Sequence, residues 1–166
     1  MTRTKLIATA LIAACSIASA QDIVLAGHVQ RVILQPSGTK DCPPSCPAVV
    51  TVNPDGTQTV CISNGGGCQT MEVEVDHVYR GEATERIRVF KTRIGEWGPS
   101  FPVTEKQIVV SEHAGNVFWS IATVRDGKIF VDPKRLRSVG GVPIAATADG
   151  DLVALDDVLA RSSVRR

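Results

Sequence analysis

Apolar and polar residues alternate with period two over much of the chain after position 21, the pattern of half-buried β-strands. In the stretch 22–34, Ile23, Leu25 and Val29 share one face with Gly27 between them. Past Gln30 and Arg31 the apolar positions move to Val32 and Leu34. A period that slips by one residue predicts a β-bulge near Gln30-Arg31, which lets a long strand curl. Residues 71–79 alternate cleanly, with Met71, Val73, Val75, His77 and Tyr79 on one side and Glu72, Glu74 and Asp76 on the other. A turn over 80–84 leads into Arg86-Ile87-Arg88-Val89-Phe90. Centring this hairpin on Glu82 sets Val75 opposite Val89, His77 opposite Ile87 and Asp76 opposite Arg88, so apolar meets apolar and acid meets base. Further β-runs follow at 107–110, 117–124 and 128–131. Ala114-Gly115-Asn116 and Arg125-Asp126-Gly127 form the turns between them, and Asp-Gly is a strong hairpin signal.

Two segments break this rhythm. Residues 35–69 begin with Pro36, Pro43, Pro44 and Pro47, which exclude regular structure before Ala48. Two short β-runs then flank Asn53-Pro54-Asp55-Gly56, a turn in all four positions, and Asn64-Gly65-Gly66-Gly67 provides the return. The segment reads as a hairpin insert outside the main sheet. Residues 93–104 form a loop carrying Trp97 and Phe101. Near the end, Asp149-Gly150-Asp151 is placed to cap a helix whose apolar face holds Leu152, Leu155, Val158 and Leu159. Five or six strands, a bulged first strand and one helix predict a mainly β fold: a small OB-like barrel, closed or partly open, spanning 21–148, with helix and tail over 149–166. An open β-sandwich is the alternative.

The first twenty residues read as an export signal, with Arg3 and Lys5, a short apolar run over 6–14, and Ala18-Ser19-Ala20 before the cut. The run is far shorter than the roughly 20 residues of a membrane-spanning helix. Leu11-Ile12-Ala13-Ala14-Cys15 also resembles a lipoprotein cleavage site with Ile12 in place of the usual Leu, which would acylate Cys15 and tether the chain to the outer membrane. Otherwise the protein is periplasmic or secreted. Removing 20 of 166 residues leaves 146, the size of one domain. Two of the 18 basic residues and none of the 17 acidic ones leave with the signal. The remainder carries 16 against 17, a net charge of −1. Near-neutrality and few aromatics argue against nucleic acid, and membrane contact requires the acylated Cys15.

The four cysteines past the signal, Cys42, Cys46, Cys61 and Cys68, all lie in the Pro/Gly-rich insert. An even number in an oxidising compartment reads as two disulfides; four thiolates on zinc are the alternative. Three pairings are open. The nested one, 42–68 with 46–61, laces the insert most fully and is preferred over 42–46, which closes the smallest loop.

Two stretches then carry a family likeness. Asp22-Ile-Val-Leu-Ala-Gly-His-Val29 resembles the A-D-x-V-x-x-G-x-V opening strand of bacterial exported OB-fold domains related to the netrin and metalloproteinase-inhibitor (TIMP-like) modules. Val73-Glu-Val-Asp-His-Val-Tyr-Arg-Gly81 resembles their later strand and turn, with Arg80 where Lys is usual, and Arg86-Ile-Arg-Val-Phe90 matches the strand that follows. The likeness covers 22–34 and 71–124 and implies a fold. The inhibitors clamp a protease zinc with an N-terminal cysteine. Here Gln21, Asp22 or an acylated Cys15 comes first, so that mechanism does not carry over.

Candidate chemistry is sparse. His77 reads as a core residue on the inner face, and His28 as mid-strand. Ser111-Glu112-His113 has no nucleophile elbow or oxyanion loop beside it and reads as turn polarity. The three histidines lie on separate strands at no metal-binding spacing. Trp97 and Phe101 either cap the barrel or anchor a partner. The sequence therefore predicts an exported, non-catalytic interaction module without a cofactor or metal, contacting another protein or an envelope component through the 42–68 flap and the Trp97 loop. A protease inhibitor using the flap as a substrate-like loop and a metal-dependent hydrolase are the alternatives.

Overall fold

The computed structural model describes residues 22–44, 46, 50–61, 66–94, 100–145 and 151–163. The signal segment with Cys15, the Trp97 loop tip and the acidic stretch at 149–150 lie outside them. In chain order the elements are β1 (Ile23–Pro36), β2 (Thr51–Val52), β3 (Gln58–Thr59), β4 (Gly67–Arg80), β5 (Ile87–Ile94), β6 (Ile108–His113), β7 (Asn116–Ile121), β8 (Thr123–Arg125), β9 (Lys128–Val131), β10 (Ser138–Val139), β11 (Val142–Pro143), β12 (Val153–Ala154) and α1 (Leu155–Ser163).

The main sheet is antiparallel throughout, in the order β5-β4-β1-β6-β7. Long β1 sits at its centre. From Val24 to Pro36 it pairs with β4, and its first five residues also pair with β6. The β1–β4 register shifts at Val29/Arg31, where the sequence pattern slips, and again at Val24/Leu25 and Ala26/Gly27. Each shift adds local twist. At Gly27 the two backbones come so close that a Cβ would lie 2.2 Å from the Glu74 carbonyl oxygen.

Two hydrophobic clusters lie on opposite faces of β1. The inner one gathers Ile23 and Leu25 of β1, Met71 and Val73 of β4, Phe90 of β5, Phe101, and Ile108 and Val110 of β6. The outer one gathers Val24, Ala26 and Val109 against Val131, Leu136, Val139, and Leu155 and Val158 of α1. A second, three-stranded sheet, β12-β9-β8, and α1 therefore cover the outside of β1 and β6. The chain passes between the sheets where β7 ends. Ala122 donates to the Gln107 carbonyl, and the Ser120 hydroxyl accepts the Asp132 N–H at 2.8 Å. The single β-run expected over 117–124 is thus two strands in different sheets. Two hairpins close as the sequence predicts. Ala114-Gly115 and Asp126-Gly127 both hold positive φ at both turn positions, which matches the twist of a two-residue hairpin.

The structure corrects the expected β4–β5 register. Met71 pairs with Phe90, Val73 with Arg88 and Glu74 with Ile87. This is an odd offset from the expected pairing, so β5 turns over. Phe90 is fully buried, while Ile87 and Val89 are 43% and 44% exposed. In this register the Phe90 ring joins Leu25, Met71, Val73 and Val110 in the inner cluster, where a large aromatic side chain fills the space between the strands. Arg88 turns inward with Phe90 and pairs with Glu112 of β6 at 3.4 Å, in place of the expected Asp76. His77 is also displaced. The register shift beyond Val75 breaks the clean alternation, and Val78 takes the inner position. His77 is exposed, its ring meeting Tyr79 edge-on at 4.5 Å.

In the insert, β2 and β3 pair around the turn, with Asp55 accepting from the Thr57 N–H and hydroxyl. Those two bonds hold the Asp55 carboxyl below its usual range. The disulfides are Cys42–Cys68 and Cys46–Cys61, the nested pairing, so none of the four thiols is left to bind zinc. The first joins buried Cys42 to the end of β4; the second closes the hairpin on itself. Two disulfides fit a protein folded outside the reducing cytoplasm. Among the described residues, no helix is long and apolar enough to cross a membrane. Helix α1 starts at Leu155, beyond the expected cap, with Asp156 and Asp157 in its first turn and Arg161 in its last, as its dipole favours. Leu155 and Val158 are buried as the pattern predicts.

The observed register makes Phe90→Ala costly, about 3–5 kcal/mol in urea unfolding, while Ile87→Ala and Val89→Ala each cost about 0.5 kcal/mol or less. Equal costs at the three positions would contradict it. The two disulfides differ in a second way. Replacing Cys42 and Cys68 by Ser removes about 3–4 kcal/mol, the loop-closure contribution across a separation of 26 residues. Replacing Cys46 and Cys61 costs less, because the released hairpin then gains freedom in the folded protein as well. Thermal unfolding of the two double variants measures the difference.

Candidate functional site

Four successive antiparallel pairings make β5 and β7, the two outer strands of the curled sheet, run in the same direction. Curling brings their Cα atoms within 8 Å of each other, yet no ladder joins them. Among the described residues no closed barrel forms. The curl leaves an open seam, and two cavities lie along it. The larger, about 530 Å³, is lined by Lys91, Thr92 and Arg93 of β5, by Gly115 and Asn116 at the β6–β7 turn, and by Asp41, Pro43 and Cys68 at the root of the insert, among others. The smaller, about 180 Å³, runs from Thr92 past Val117, Phe118 and Trp119 of β7 to Lys134, Arg135 and Arg137. Thr92 borders both.

Local structure explains why cations line this seam. With Phe90 inward, Lys91 and Arg93 must project outward from β5. On the other bank, Asp132 starts a tight turn. Its side chain accepts the Lys134 N–H at 2.8 Å, and its carbonyl accepts those of Arg135 and Leu136. Leu136 is fully buried in the outer cluster, so its neighbours Arg135 and Arg137 are left at the surface. The Arg135 guanidinium lies 5.0 Å from the centre of the Trp119 ring, a cation–π distance. The Arg137 Nε donates to the Lys134 carbonyl at 3.3 Å. Five cationic side chains thus border the two cavities, with the Asp41 carboxylate on the larger one and the Asp132 carboxylate 3.9 Å from the Arg135 Nε.

Of the residues singled out from sequence, Cys68 borders the larger cavity and Phe101 the smaller. Phe101 is 5% exposed in the inner cluster, its N–H bonded to the buried Gln69 side chain at 2.7 Å. It is a core residue and not an exposed partner contact. Trp97 and Cys15 lie outside the described residues. The histidines do not converge. His28 Nε2 is 3.4 Å from the Asp76 carboxylate, His77 meets Tyr79, and His113 Nδ1 is 2.5 Å from Asp22. Among the described residues, no group of three metal-ligating side chains forms. Ser111, Glu112 and His113 are strand residues with separate surroundings rather than turn polarity. The Ser111 hydroxyl is buried without a hydrogen-bond partner, so it is not poised on His113. Sequence reasoning missed Lys91, Arg93, Lys134, Arg135 and Arg137. The available signal was the basic run after Asp132-Pro133 in a nearly neutral chain.

At the other side of the sheet, the β10–β11 turn and α1 reach the ends of β6 and β4. Gly141 backs onto the His113 ring, and Arg80 donates to the Ser162 hydroxyl of α1 at 2.7 Å. Beside them, burial and, secondarily, the Asp156 carboxylate raise the Tyr79 phenol above its ordinary value.

No protein-family model, curated protein or solved structure matches this chain.

Tyr79 is the single tyrosine of the chain, so its ionisation can be followed at 295 nm. Its folded pKa lies above the unfolded value of about 10. The neutral phenol is therefore favoured by folding, and its contribution is full below pH ~10 and lost as pH rises through the folded pKa. Asp156→Asn moves the midpoint down toward 10 without reaching it, because burial remains. An unchanged midpoint would remove Asp156 from this account.

Proposed function

We propose that this chain is an exported, non-catalytic binding module built on an open OB-like barrel, and that the β5–β7 seam with the root of the disulfide-pinned insert is its contact face. The seam carries this reading: a concave, cation-lined opening beside an indole, framed by strands and a disulfide that limit the ordering lost on binding. The OB-like assignment is supported by a central, shifted first strand pairing on both sides and by the approach of two outer strands across a gap, the form of a partly open five-stranded barrel. The likeness of 22–34 and 71–124 to netrin/TIMP-like modules points the same way. Export to the periplasm or beyond is supported by the signal pattern over 1–20 together with the two disulfides. A binding role is favoured over a metal-dependent hydrolase by the scatter of the histidines, each engaged with a different neighbour. The partner is an envelope component or another protein.

The test uses protein recovered from the periplasm of an expressing bacterium. Its intact mass should correspond to residues 21–166 less four thiol hydrogens. Titrated with a library of small charged and aromatic fragments, its amide spectrum should shift at residues 91–93, 117–119 and 134–137. Shifts centred on Asp22, Ser111 and His113, or free thiols on an uncleaved chain, would sink the reading.

A further inference from the structure

We infer that the seam recognises a linear acidic saccharide, a chain of uronate units. This rests on the binding-module reading above and names the ligand class of that same face. The charge is local: the chain past its signal is close to neutral, yet five cations border these cavities against Asp41 and the Asp132 carboxylate beside Arg135. They flank two cavities that meet at Thr92, Lys91 and Arg93 on the larger and Lys134, Arg135 and Arg137 on the smaller, so positive charge continues from one cavity to the next, as a chain of charges would require. Three of the five are arginines, whose planar fork matches a carboxylate through two parallel hydrogen bonds. The larger cavity also carries neutral side chains suited to sugar hydroxyls, Gln35, Thr92 and Asn116.

An acidic peptide is the competing ligand, and the geometry disfavours it. A peptide draws much of its affinity at a sheet edge from main-chain pairing. A strand inserted between β5 and β7 needs about 9.5 Å between its neighbours, two strand spacings. Where their Cα atoms are within 8 Å of each other, that room is lacking. The ligand must lie over the seam and be read by side chains, which suits a saccharide.

The experiment is calorimetric titration of the oxidised protein with a defined oligogalacturonate of six units. Oligoglucose of equal length, hexaglutamate and an oligothymidylate are run in parallel, and Trp fluorescence is recorded alongside. Oligogalacturonate should bind most tightly of the four, with affinity falling steadily as salt rises, because binding releases counterions. The paired substitutions R135Q/R137Q and K91Q/K134Q should each weaken it at least tenfold. K128Q, an exposed cation away from both cavities, should stay within twofold, and all variants should keep the parent thermal midpoint. Undetectable binding at low salt, equal binding of oligoglucose, hexaglutamate or oligothymidylate, or equal loss in K128Q overturns the assignment. If hexaglutamate or oligothymidylate binds through the same cations, the binding module stands and the saccharide falls. If the oligogalacturonate is shortened in the mixture, the saccharide site stands and the non-catalytic reading falls.

Discussion

Four consecutive residues of the first strand, Ile23 to Ala26, are shut away from solvent on both faces, and the architecture depends on this. A strand with one wet face alternates apolar and polar residues; a strand buried on both sides must be apolar throughout. Here Ile23 and Leu25 belong to the inner cluster, and Val24 and Ala26 to the outer one. One stretch of backbone therefore ties the main sheet to the second sheet and the helix. Sliding it by one residue would exchange the contents of two cores at once. Gly27 follows directly, where the backbone of β4 leaves no room for a side chain.

The curl that encloses the inner cluster also produces the seam. The neighbouring pairs Met71–Phe90 and Leu25–Val110, together with Phe101 from the loop before β6, close into one cluster as the sheet coils. Coiling moves the outer strands together, and Arg88 reaches Glu112 across the interior although β4 and β1 intervene in the ladder. The outer strands still remain unjoined. Once Phe90 is committed inward, the alternate positions Lys91 and Arg93 are committed outward. Once Leu136 is buried, Arg135 and Arg137 are left at the rim. The cationic banks are thus by-products of apolar burial on both sides, which is why they stand at fixed positions and not on free loops.

The exposed ion pairs on the far half of β1 and β4 contribute little by comparison. Arg31 with Glu72 and Arg86 with Glu74 are close and well aligned, but they face water, where such pairs are worth at most about 1 kcal/mol. Their effect is on register: they favour one alignment of polar faces that hydrophobic burial has already selected.

The chain alone did not locate β10, β11 or β12, but it was enough to locate the β-runs as far as β9, the slip near Gln30, the tight turns at Gly115 and Gly127, the buried positions Leu155 and Val158 of α1 and the cysteine insert with the nested pairing preferred. These features are written in spacing a few residues long, through period-two alternation, left-handed turn positions and local loop closure. The pairing of β4 with β5 was not legible, because the alignment that best matches cross-strand neighbours lies an odd number of residues from the one that forms, which sets Val73 opposite Arg88 and Glu74 opposite Ile87. Only the competition to fill the inner cluster places Phe90 inside and turns Ile87 and Val89 out. The splitting of 117–124 between two sheets and the double burial of β1 were hidden for the same reason. The seam was hidden more deeply. Lys91 and Arg137 are 46 positions apart, and nothing between them in sequence anticipates that a coiled sheet and a buried leucine set them beside two cavities that meet at Thr92.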